Sequence, residues 1–123
     1  MSLQSCREEV AVAINDYVRE FGARGEIKET KEILEFLKTK GLKLDAMFLV
    51  SDMCYNKTNK ANLKSFKNDI LLFEHVSRGK YYILGEHYSY TGKVVWTDKH
   101  GFNHDVGEWK EGKLSYWGDT GHV

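Results

Sequence analysis

The chain has 123 residues, a length that suits one ordinary domain able to bury its own hydrophobic core. Its 18 basic and 18 acidic residues balance, which argues against a strongly basic nucleic-acid binder of the histone type. No run approaches the roughly 18 consecutive apolar residues of a transmembrane helix, and no signal-peptide pattern precedes the first predicted helix. We therefore expect a cytoplasmic protein that does not bind a membrane.

The two cysteines, Cys6 and Cys54, both fall on the apolar faces of predicted helices. A buried free cysteine behaves as a small hydrophobic residue. We expect both thiols to be reduced and buried, as is usual in the cytoplasm.

Two helices and a short strand are predicted in the first forty residues. Apolar residues recur at helical spacing over residues 3–21, and Gly22 is the natural end of that helix. Residues 25–28 can pair as a short strand. A second helix is predicted over residues 30–40, where apolar residues face one side and lysines occupy the last turn.

A third helix is predicted from Asp45 to about Tyr55, because Asp45 is a good N-cap and apolar residues follow it. The short turn that precedes it contains Gly41. Helix, glycine-containing turn and helix form the helix-turn-helix pattern, although any pair of antiparallel helices gives the same pattern. Ser51, Asp52 and Tyr55 are predicted to lie partly or wholly on the outer face of this helix.

The residues around the end of this helix hold the local excess of positive charge. Residues 41–80 contain seven basic and four acidic residues, whereas both flanking thirds are mildly acidic. Within them, residues 56–68 carry four lysines, four asparagines and no acid. A lysine-rich segment is more often a solvated loop than a binding site, but lysine and asparagine also contact phosphates and base edges.

A β-hairpin is predicted from Ile70 to Leu84, where two runs rich in β-branched and aromatic residues flank a tight turn. Gly79 can adopt the positive φ that such a turn requires. Arg78 and Lys80 flank this glycine, so the tip of the hairpin is predicted to be basic.

The last third of the chain predicts a small β extension. Residues 81–123 contain nine of the sixteen aromatic residues, most of which we expect to form a core and to pack on the hairpin. Alternating patterns and turn residues predict three strands, the last two joined by a turn at Glu111-Gly112. The strands are Lys93–Thr97, Val106–Lys110 and Lys113–Trp117.

The order helix, strand, helix, turn, helix and hairpin resembles the winged helix-turn-helix superfamily, in particular small winged-helix modules of restriction and other DNA-handling systems. The resemblance rests on Met53-Cys54-Tyr55-Asn56 at the end of the third helix and on the Leu-Phe-x-x-x-x-Arg-Gly-Lys-Tyr pattern of Leu72 to Tyr81. It covers roughly residues 5–84. It implies an α+β fold with three helices and a hairpin wing, in which the third helix contacts DNA with support from the wing. Residues 1–85 are accordingly predicted to form a winged helix-turn-helix domain, and residues 86–123 an aromatic-rich β extension packed on the wing.

One group of carboxylates resembles a catalytic site superficially. Glu108-x-Lys110, with Asp98 or Asp105 upstream, matches the carboxylate pattern of metal-dependent nucleases. Such sites hold Mg²⁺ with carboxylates that project from a central mixed sheet. Too little chain surrounds these residues to build that sheet, so we predict no nuclease activity.

The histidines and cysteines also fall short of a reactive site. His100 and His104 have a spacing that suits zinc only on a helix, and Gly101 opposes a helix there. A nucleophilic cysteine needs an accessible and electropositive setting, whereas Cys6 and Cys54 lie on apolar stripes. We therefore predict that the protein is not an enzyme and has no catalytic residue, metal or other cofactor.

The predicted function is binding of double-stranded DNA, as a regulator of transcription or as a targeting part of a defence-related system. Phosphates are expected to contact the cations Lys57, Lys60, Lys64, Arg78 and Lys80. The expected groove contacts include no arginine, so sequence discrimination should be weak; they are Ser51, Asp52, Tyr55 and Asn56. The carboxylates of Asp45 and Asp52 count against this function, because they repel phosphates.

Two other functions fit the sequence. A winged-helix scaffold can serve as a protein–protein interaction module, a homodimer included, and the balanced charge favours that alternative. The aromatic extension could instead stack on the bases of single-stranded or modified nucleic acid. The exposure of Trp96, Trp109 and Trp117 separates these functions, because only stacking or an interface requires exposed rings.

Overall fold

The computed structural model describes residues 2–58 and 69–116. These residues form two α-helices, one short 3-10 helix and seven β-strands in two sheets. In chain order the elements are α1 (Leu3–Phe21), β1 (Arg24–Glu29), α2 (Thr30–Thr39), the 3-10 helix (Val50–Met53), β2 (Lys57–Thr58), β3 (Phe73–Ser77), β4 (Lys80–Ile83), β5 (Gly92–Thr97), β6 (Asn103–Lys110) and β7 (Lys113–Tyr116).

The first helix forms where the sequence predicts it. The Ser2 hydroxyl accepts a hydrogen bond from the Ser5 amide (3.0 Å), which satisfies one of the free amides of the first turn. Gly22 has a φ of +88° and ends the helix. The buried face of α1 consists of Cys6, Val10, Ala11, Ala13 and Ile14.

The predicted first strand and second helix are also confirmed, and α2 ends one residue before its predicted end. The helix begins with a capping box, in which the Glu32 carboxylate accepts a hydrogen bond from the Glu29 amide (2.9 Å) and the Glu29 carboxylate accepts one from the Glu32 amide. Ile33 and Leu37 on α2 are buried in the same core as the apolar face of α1.

The predicted third helix is wrong. The Phe48 amide donates to the Asp45 carbonyl (3.0 Å), and the Asp45 carboxylate accepts from the Met47 amide (2.8 Å), so Asp45 closes a single turn. Burial then alternates along the chain: Phe48 and Val50 are buried, whereas Met47 and Leu49 are exposed. This alternation is typical of extended backbone and not of one helical face.

The chain after this turn pairs its backbone with a distant segment. The Leu72 amide donates to the Met53 carbonyl (2.8 Å), and the Tyr55 amide donates to the Phe73 carbonyl (2.9 Å). These bonds occupy backbone groups that a helix would have paired internally, so tertiary pairing overrides the local helix preference. The winged helix-turn-helix fold class with three helices is therefore wrong, and the described chain is a mostly β fold.

The first sheet has the antiparallel order β1-β4-β3 and contains the predicted hairpin. Gly79 occupies the hairpin turn with a φ of +72°, which confirms its predicted role. The Thr30 amide donates to the Gly79 carbonyl (2.9 Å), so the tip of the hairpin is tied to the beginning of α2.

The second sheet has the order β2-β5-β6-β7 and forms most of the C-terminal part. The predicted strands are confirmed here, although β5 and β6 begin upstream of their predicted starts and Trp117 lies outside the described residues. The short β2 pairs in parallel with β5, whereas the other pairs are antiparallel.

Two hydrophobic clusters fill the fold. The first joins α1, α2 and the first sheet, and the second lies under the second sheet. Tyr55 and Leu71 belong to the second cluster although both precede residue 85, the predicted domain boundary. That boundary stays a prediction. The buried members of the second cluster are Tyr55, Leu71, Leu84, Tyr90, Val94, Val106 and Trp109.

Cys6 and Cys54 are both buried in the first cluster and form no disulfide bond, as the sequence predicts. Neither helix of the described ranges has the length and apolar character needed to cross a membrane.

Candidate functional site: a groove between the two helices

Two of the side chains predicted to contact DNA are buried or bonded within the fold. Tyr55 is only 3% exposed, and its hydroxyl donates to the Gly85 carbonyl (2.8 Å) and accepts from the Tyr88 amide (3.0 Å). The Asn56 side chain bonds both the amide and the carbonyl of His75, each at 2.8 Å. These contacts assign structural roles to Tyr55 and Asn56.

The two remaining groove candidates also have partners inside the protein. Asp52 forms an ion pair with Arg7 at 3.5 Å, and both side chains are largely shielded from solvent. The half-buried Ser51 lies beside Tyr81 of the first core and acts to lower the pKa of the Tyr81 hydroxyl, which burial raises. The sequence predicts that these residues lie on one face of the third helix, which does not form.

The predicted cations divide into described and undescribed residues. Arg78 and Lys80 are exposed on either side of the hairpin turn, as predicted. Lys57 lies on β2, whereas Lys60 and Lys64 fall outside the described residues. Whether all five share one basic face stays a prediction.

The aromatic extension offers few exposed rings within the described part of the chain. Trp109 is 8% exposed, and its Nε1 donates to the Tyr55 carbonyl (3.0 Å). Trp96 packs against the His104 ring at 5.1 Å between centroids. Phe102 is the exception, with 67% of its surface exposed.

The predicted reactive groups adopt ordinary structural roles. The His104 Nε2 lies 2.8 Å from the Asp98 Oδ2, and this hydrogen bond lowers the pKa of the Asp98 carboxyl. Burial raises the pKa of the Cys54 thiol and so disfavours the reactive thiolate. Among the residues that the structure describes, no group of three His, Cys, Asp or Glu side chains is arranged to hold a metal ion.

The candidate site is a groove between α1 and α2 that is lined by apolar side chains from both helices. On the α1 side, Val12 and Phe21 leave 63% and 67% of their surfaces exposed. Phe36 on α2 and Leu42 beyond its end form the other side. We call this surface, between residues 9–21 and residues 36–42, the helix groove. It contains a cavity of about 370 Å³.

Aromatic rings give the helix groove a fixed shape. Tyr17 contacts Phe21 one turn along α1, with ring centroids 4.9 Å apart. It also meets the Phe36 ring edge-to-face across the groove, at 5.4 Å and 76°. The three rings form an apolar surface that joins the two helices.

Acidic side chains border this apolar surface on the α1 side. Glu9, Asp16 and Glu20 line the groove, and their spacing of seven and four residues places them on one face of the helix. Asp16 is paired with Arg19 at 2.6 Å, whereas Glu9 and Glu20 form no ion pair with any described residue. The Lys40 ammonium lies on the opposite side, 5.5 Å from the Phe36 ring centre.

The sequence held one signal for this groove. Val12 lies outside the apolar stripe of α1, on the face where a surface helix normally carries polar residues. A single exposed apolar residue is common and carries little weight alone. Only the packing of α2 beside α1 shows that Val12 and Phe21 belong to one surface.

Comparisons with known proteins place this fold in a family. The family model described as "Domain of unknown function (DUF7225)" matches residues 8–116. A curated relative, "Uncharacterized protein YnaC" of Bacillus subtilis (strain 168), is 34% identical over 110 residues, which are 88% of this chain and 38% of that protein. The chain thus spans well under half the length of this relative, and no solved structure matches it. The chain belongs to the family described as the domain of unknown function DUF7225.

Proposed function

We propose that this domain is a protein-interaction module whose helix groove binds an amphipathic helix with basic residues along one flank. The observation that carries the proposal is the combination of two exposed apolar side chains on α1, Val12 and Phe21, with the half-buried Phe36 of α2 opposite them and an acidic border on α1. Such patches, rimmed by polar residues, commonly mark interaction sites. A protein–protein interaction module, which is one of the alternatives that the sequence leaves open, is therefore the first candidate.

The dimensions of the groove suit a short helix. From Glu9 to Glu20 the groove follows α1 for eleven residues, or about 16 Å at roughly 1.5 Å per residue. A bound helix of about three turns therefore matches its length. Apolar side chains at every third or fourth position would contact Val12, Phe21 and Phe36, as in other helix-in-groove complexes.

Apolar burial supplies the attraction in this proposal. Phe21 is 67% exposed, so most of its surface is available for contact with a partner. Full burial of a phenylalanine side chain contributes about 1.5–3 kcal/mol, and Phe21 would contribute a large part of that range. Val12 would add a smaller contribution for the same reason.

Charge supplies the selectivity. Glu9 and Glu20 carry negative charge on the groove border and have no ion pair with a described residue. Lysine or arginine on the flank of a bound helix would complement them, whereas acidic residues would be repelled. Such border charges change specificity and association rate more than affinity, and salt screens them.

Two synthetic helices that differ only in flank charge test the proposal. Both carry the same leucine stripe, one with lysines and the other with glutamates on the flank, and calorimetry gives their affinities for the protein. We expect the lysine peptide to bind about tenfold more tightly at low salt. Equal affinities for the two peptides would contradict the proposal.

A matched pair of variants controls for non-specific binding. Phe21→Ser removes an apolar contact in the groove, and Phe102→Ser removes an equally exposed phenylalanine on the turn between β5 and β6. We expect only Phe21→Ser to weaken the lysine peptide, and thermal unfolding of both variants shows whether the fold is kept. Equal weakening by the two variants would place the peptide elsewhere.

Duplex DNA is a second candidate, supported by the cations next to the outer edge of the first sheet. β3 is an edge strand of that sheet, and Asn56 bonds its His75, which brings Lys57 beside the strand. Arg78 follows β3 directly in the hairpin turn. Neither Lys57 nor Arg78 forms an ion pair with a described residue, so both charges are available to phosphates.

A salt titration separates this candidate from the peptide proposal. If the described cations and Lys60 and Lys64 neutralise four or five phosphates, log affinity falls against log salt with a slope of roughly −4. Arg78→Ala would then reduce the slope by about one. No binding of duplex DNA at low salt, together with selective peptide binding, removes DNA as a candidate.

A further inference from the structure

We propose that the protein has a second binding site, distinct from the helix groove, which takes an organic cation of the ammonium or guanidinium class. The site is a pocket of about 560 Å³ between residues 86–89 and the turn from β6 to β7. This volume falls within the range of small-molecule sites. We call it the aromatic pocket. Its chemistry follows from its walls, its rim and the way both are fixed.

The walls of the aromatic pocket are three aromatic rings set at steep angles. Tyr55 meets Trp109 at 68°, with centroids 5.5 Å apart, and meets Tyr88 at 65° and 6.4 Å. Tyr55 and Trp109 are almost completely covered, at 3% and 8% exposure, whereas Tyr88 is half-buried and supplies the ring surface that is available to a cation. Hydrogen bonds from the Trp109 Nε1 to the Tyr55 carbonyl and from the Tyr55 hydroxyl to the Gly85 carbonyl hold the arrangement.

The charged side chains that line the pocket within the described part of the chain are acidic. They are Asp69, Glu86 and Glu111, and the described lining contains no lysine or arginine. His87 is the one further titratable imidazole in the lining. Carboxylates in a partly enclosed pocket attract a cationic ligand and repel an anionic one. Both effects are stronger there than in open solution, because less water screens the charges.

The Glu86 carboxylate is held in position by a residue of α1 that is distant in the sequence. Glu86 Oε1 accepts a hydrogen bond from the Asn15 side chain on α1 (2.9 Å), and the Glu86 amide donates to Asn15 Oδ1 (2.9 Å). This double contact fixes the carboxylate at the rim and leaves its second oxygen for a ligand. Burial and, to a smaller degree, the Glu86 charge raise the pKa of Tyr55 to about 12, consistent with a negative field in the pocket.

Ammonium and guanidinium groups come either from free amines or from lysine and arginine side chains of another protein. Capped arginine amide represents the side chain, and agmatine represents a free guanidine that carries a second cation. Capped citrulline amide is the matched neutral probe, because it has nearly the shape of arginine without the charge. Binding is followed by calorimetry and by the NMR signal of the Trp109 indole N–H.

We expect the cationic probes to bind about tenfold more tightly than capped citrulline, since a charged hydrogen bond and the ring contacts are lost with the charge. The Trp109 indole signal should shift on titration. A stronger response to capped arginine than to agmatine identifies a partner's side chain as the source, and the reverse order identifies a free amine. Equal binding of citrulline, or no binding of either cation at about 10 mM, overturns the proposal.

Two glutamate variants complete the test. Glu86→Gln removes the charge but keeps an oxygen that can accept the Asn15 hydrogen bond, so the fold is expected to survive. Glu108→Gln is the control, because Glu108 lies on β6 outside the pocket lining. We expect Glu86→Gln to weaken the cations about fivefold or more, whereas Glu108→Gln leaves them unchanged. Equal losses in the two variants overturn the proposed site.

Discussion

At the scale of single residues, Tyr55 is predicted from the sequence to contact DNA, but it is buried in the second hydrophobic cluster. Its ring stacks near Tyr90 and meets Trp109 and Tyr88, while its hydroxyl bonds two backbone groups. A buried tyrosine hydroxyl normally has such partners, because an unpaired one is costly. Tyr55 therefore joins β6, the loop after β4 and the segment after the 3-10 helix.

Tyr55→Phe tests this role without removing the ring. The variant leaves the Gly85 carbonyl and the Tyr88 amide without the partner that they have in the native protein, and we expect the free energy of unfolding to fall by about 1–3 kcal/mol. Denaturant unfolding measures the loss. The control is Tyr82→Phe, whose hydroxyl makes no hydrogen bond with a described residue and which should change stability by less than about 0.5 kcal/mol. Equal losses would contradict the assigned role.

The environment of His75 predicts that the stability of the fold depends on pH near neutrality. Burial and, second, the Lys57 charge lower the pKa of this histidine below its ordinary value of 6.5, so the folded protein favours the neutral imidazole. The unfolded chain then binds the proton more readily, and stability that is present above pH 6.5 is lost as the pH falls below it. Tyr81, whose ring is 5.6 Å from His75, and Lys57 are the titratable groups that face it.

Two measurements check this pH effect. Unfolding free energies on either side of pH 6.5 should fall more with acidification in the native protein than in His75→Gln. In NMR titration, Lys57→Ala should raise the pKa of His75, because the nearby positive charge is gone. An unchanged pKa in that variant would show that Lys57 does not act on the imidazole.

At the scale of elements, local patterns predict most helices and strands of the chain. The apolar spacing and caps of α1 and α2, the Gly79 hairpin and the strands of the C-terminal sheet are all readable from neighbouring residues. Neighbouring residues do not reveal that the helix after Asp45 is missing or that β2 pairs in parallel with β5. Both depend on backbone partners far along the chain, which local periodicity does not encode.

A proline substitution tests the turn that begins at Asp45. Ala46 follows Asp45 as the second residue of the turn closed by Phe48, a position that favours proline. We expect Ala46→Pro to change the unfolding free energy by less than about 1 kcal/mol. Glu35→Pro, in the interior of α2, should cost about 3 kcal/mol or more. A loss at Ala46 comparable to the loss at Glu35 would contradict the turn.

The candidate site could be predicted from the sequence only in part. The charged positions Glu9, Asp16 and Glu20 were visible as one face of α1, but their spacing alone is that of an ordinary solvated face. The opposite side of the groove comes from Phe36 and Leu42, and the sequence does not show that α2 lies beside this face. A surface formed by two elements is defined by their packing.

At the scale of the whole molecule, the balanced net charge conceals two acidic sites and one basic site. The helix groove and the aromatic pocket carry carboxylates, whereas the tip of the hairpin carries Arg78 and Lys80. α1 contributes to both acidic sites, since Glu9 and Glu20 border the groove and Asn15 holds Glu86 at the pocket. A cationic partner and an anionic partner would therefore bind at different places on the protein.

If the helix groove binds a basic amphipathic helix, NMR will locate that helix between α1 and α2. Isotope-labelled protein is titrated with the lysine-flanked peptide, and backbone NMR signals report which residues respond. We expect the largest shifts around Val12, Phe21 and Phe36, with no more than small shifts at Arg78 and Lys80. Shifts centred on the hairpin tip, or no shifts at about millimolar peptide, would contradict the proposal.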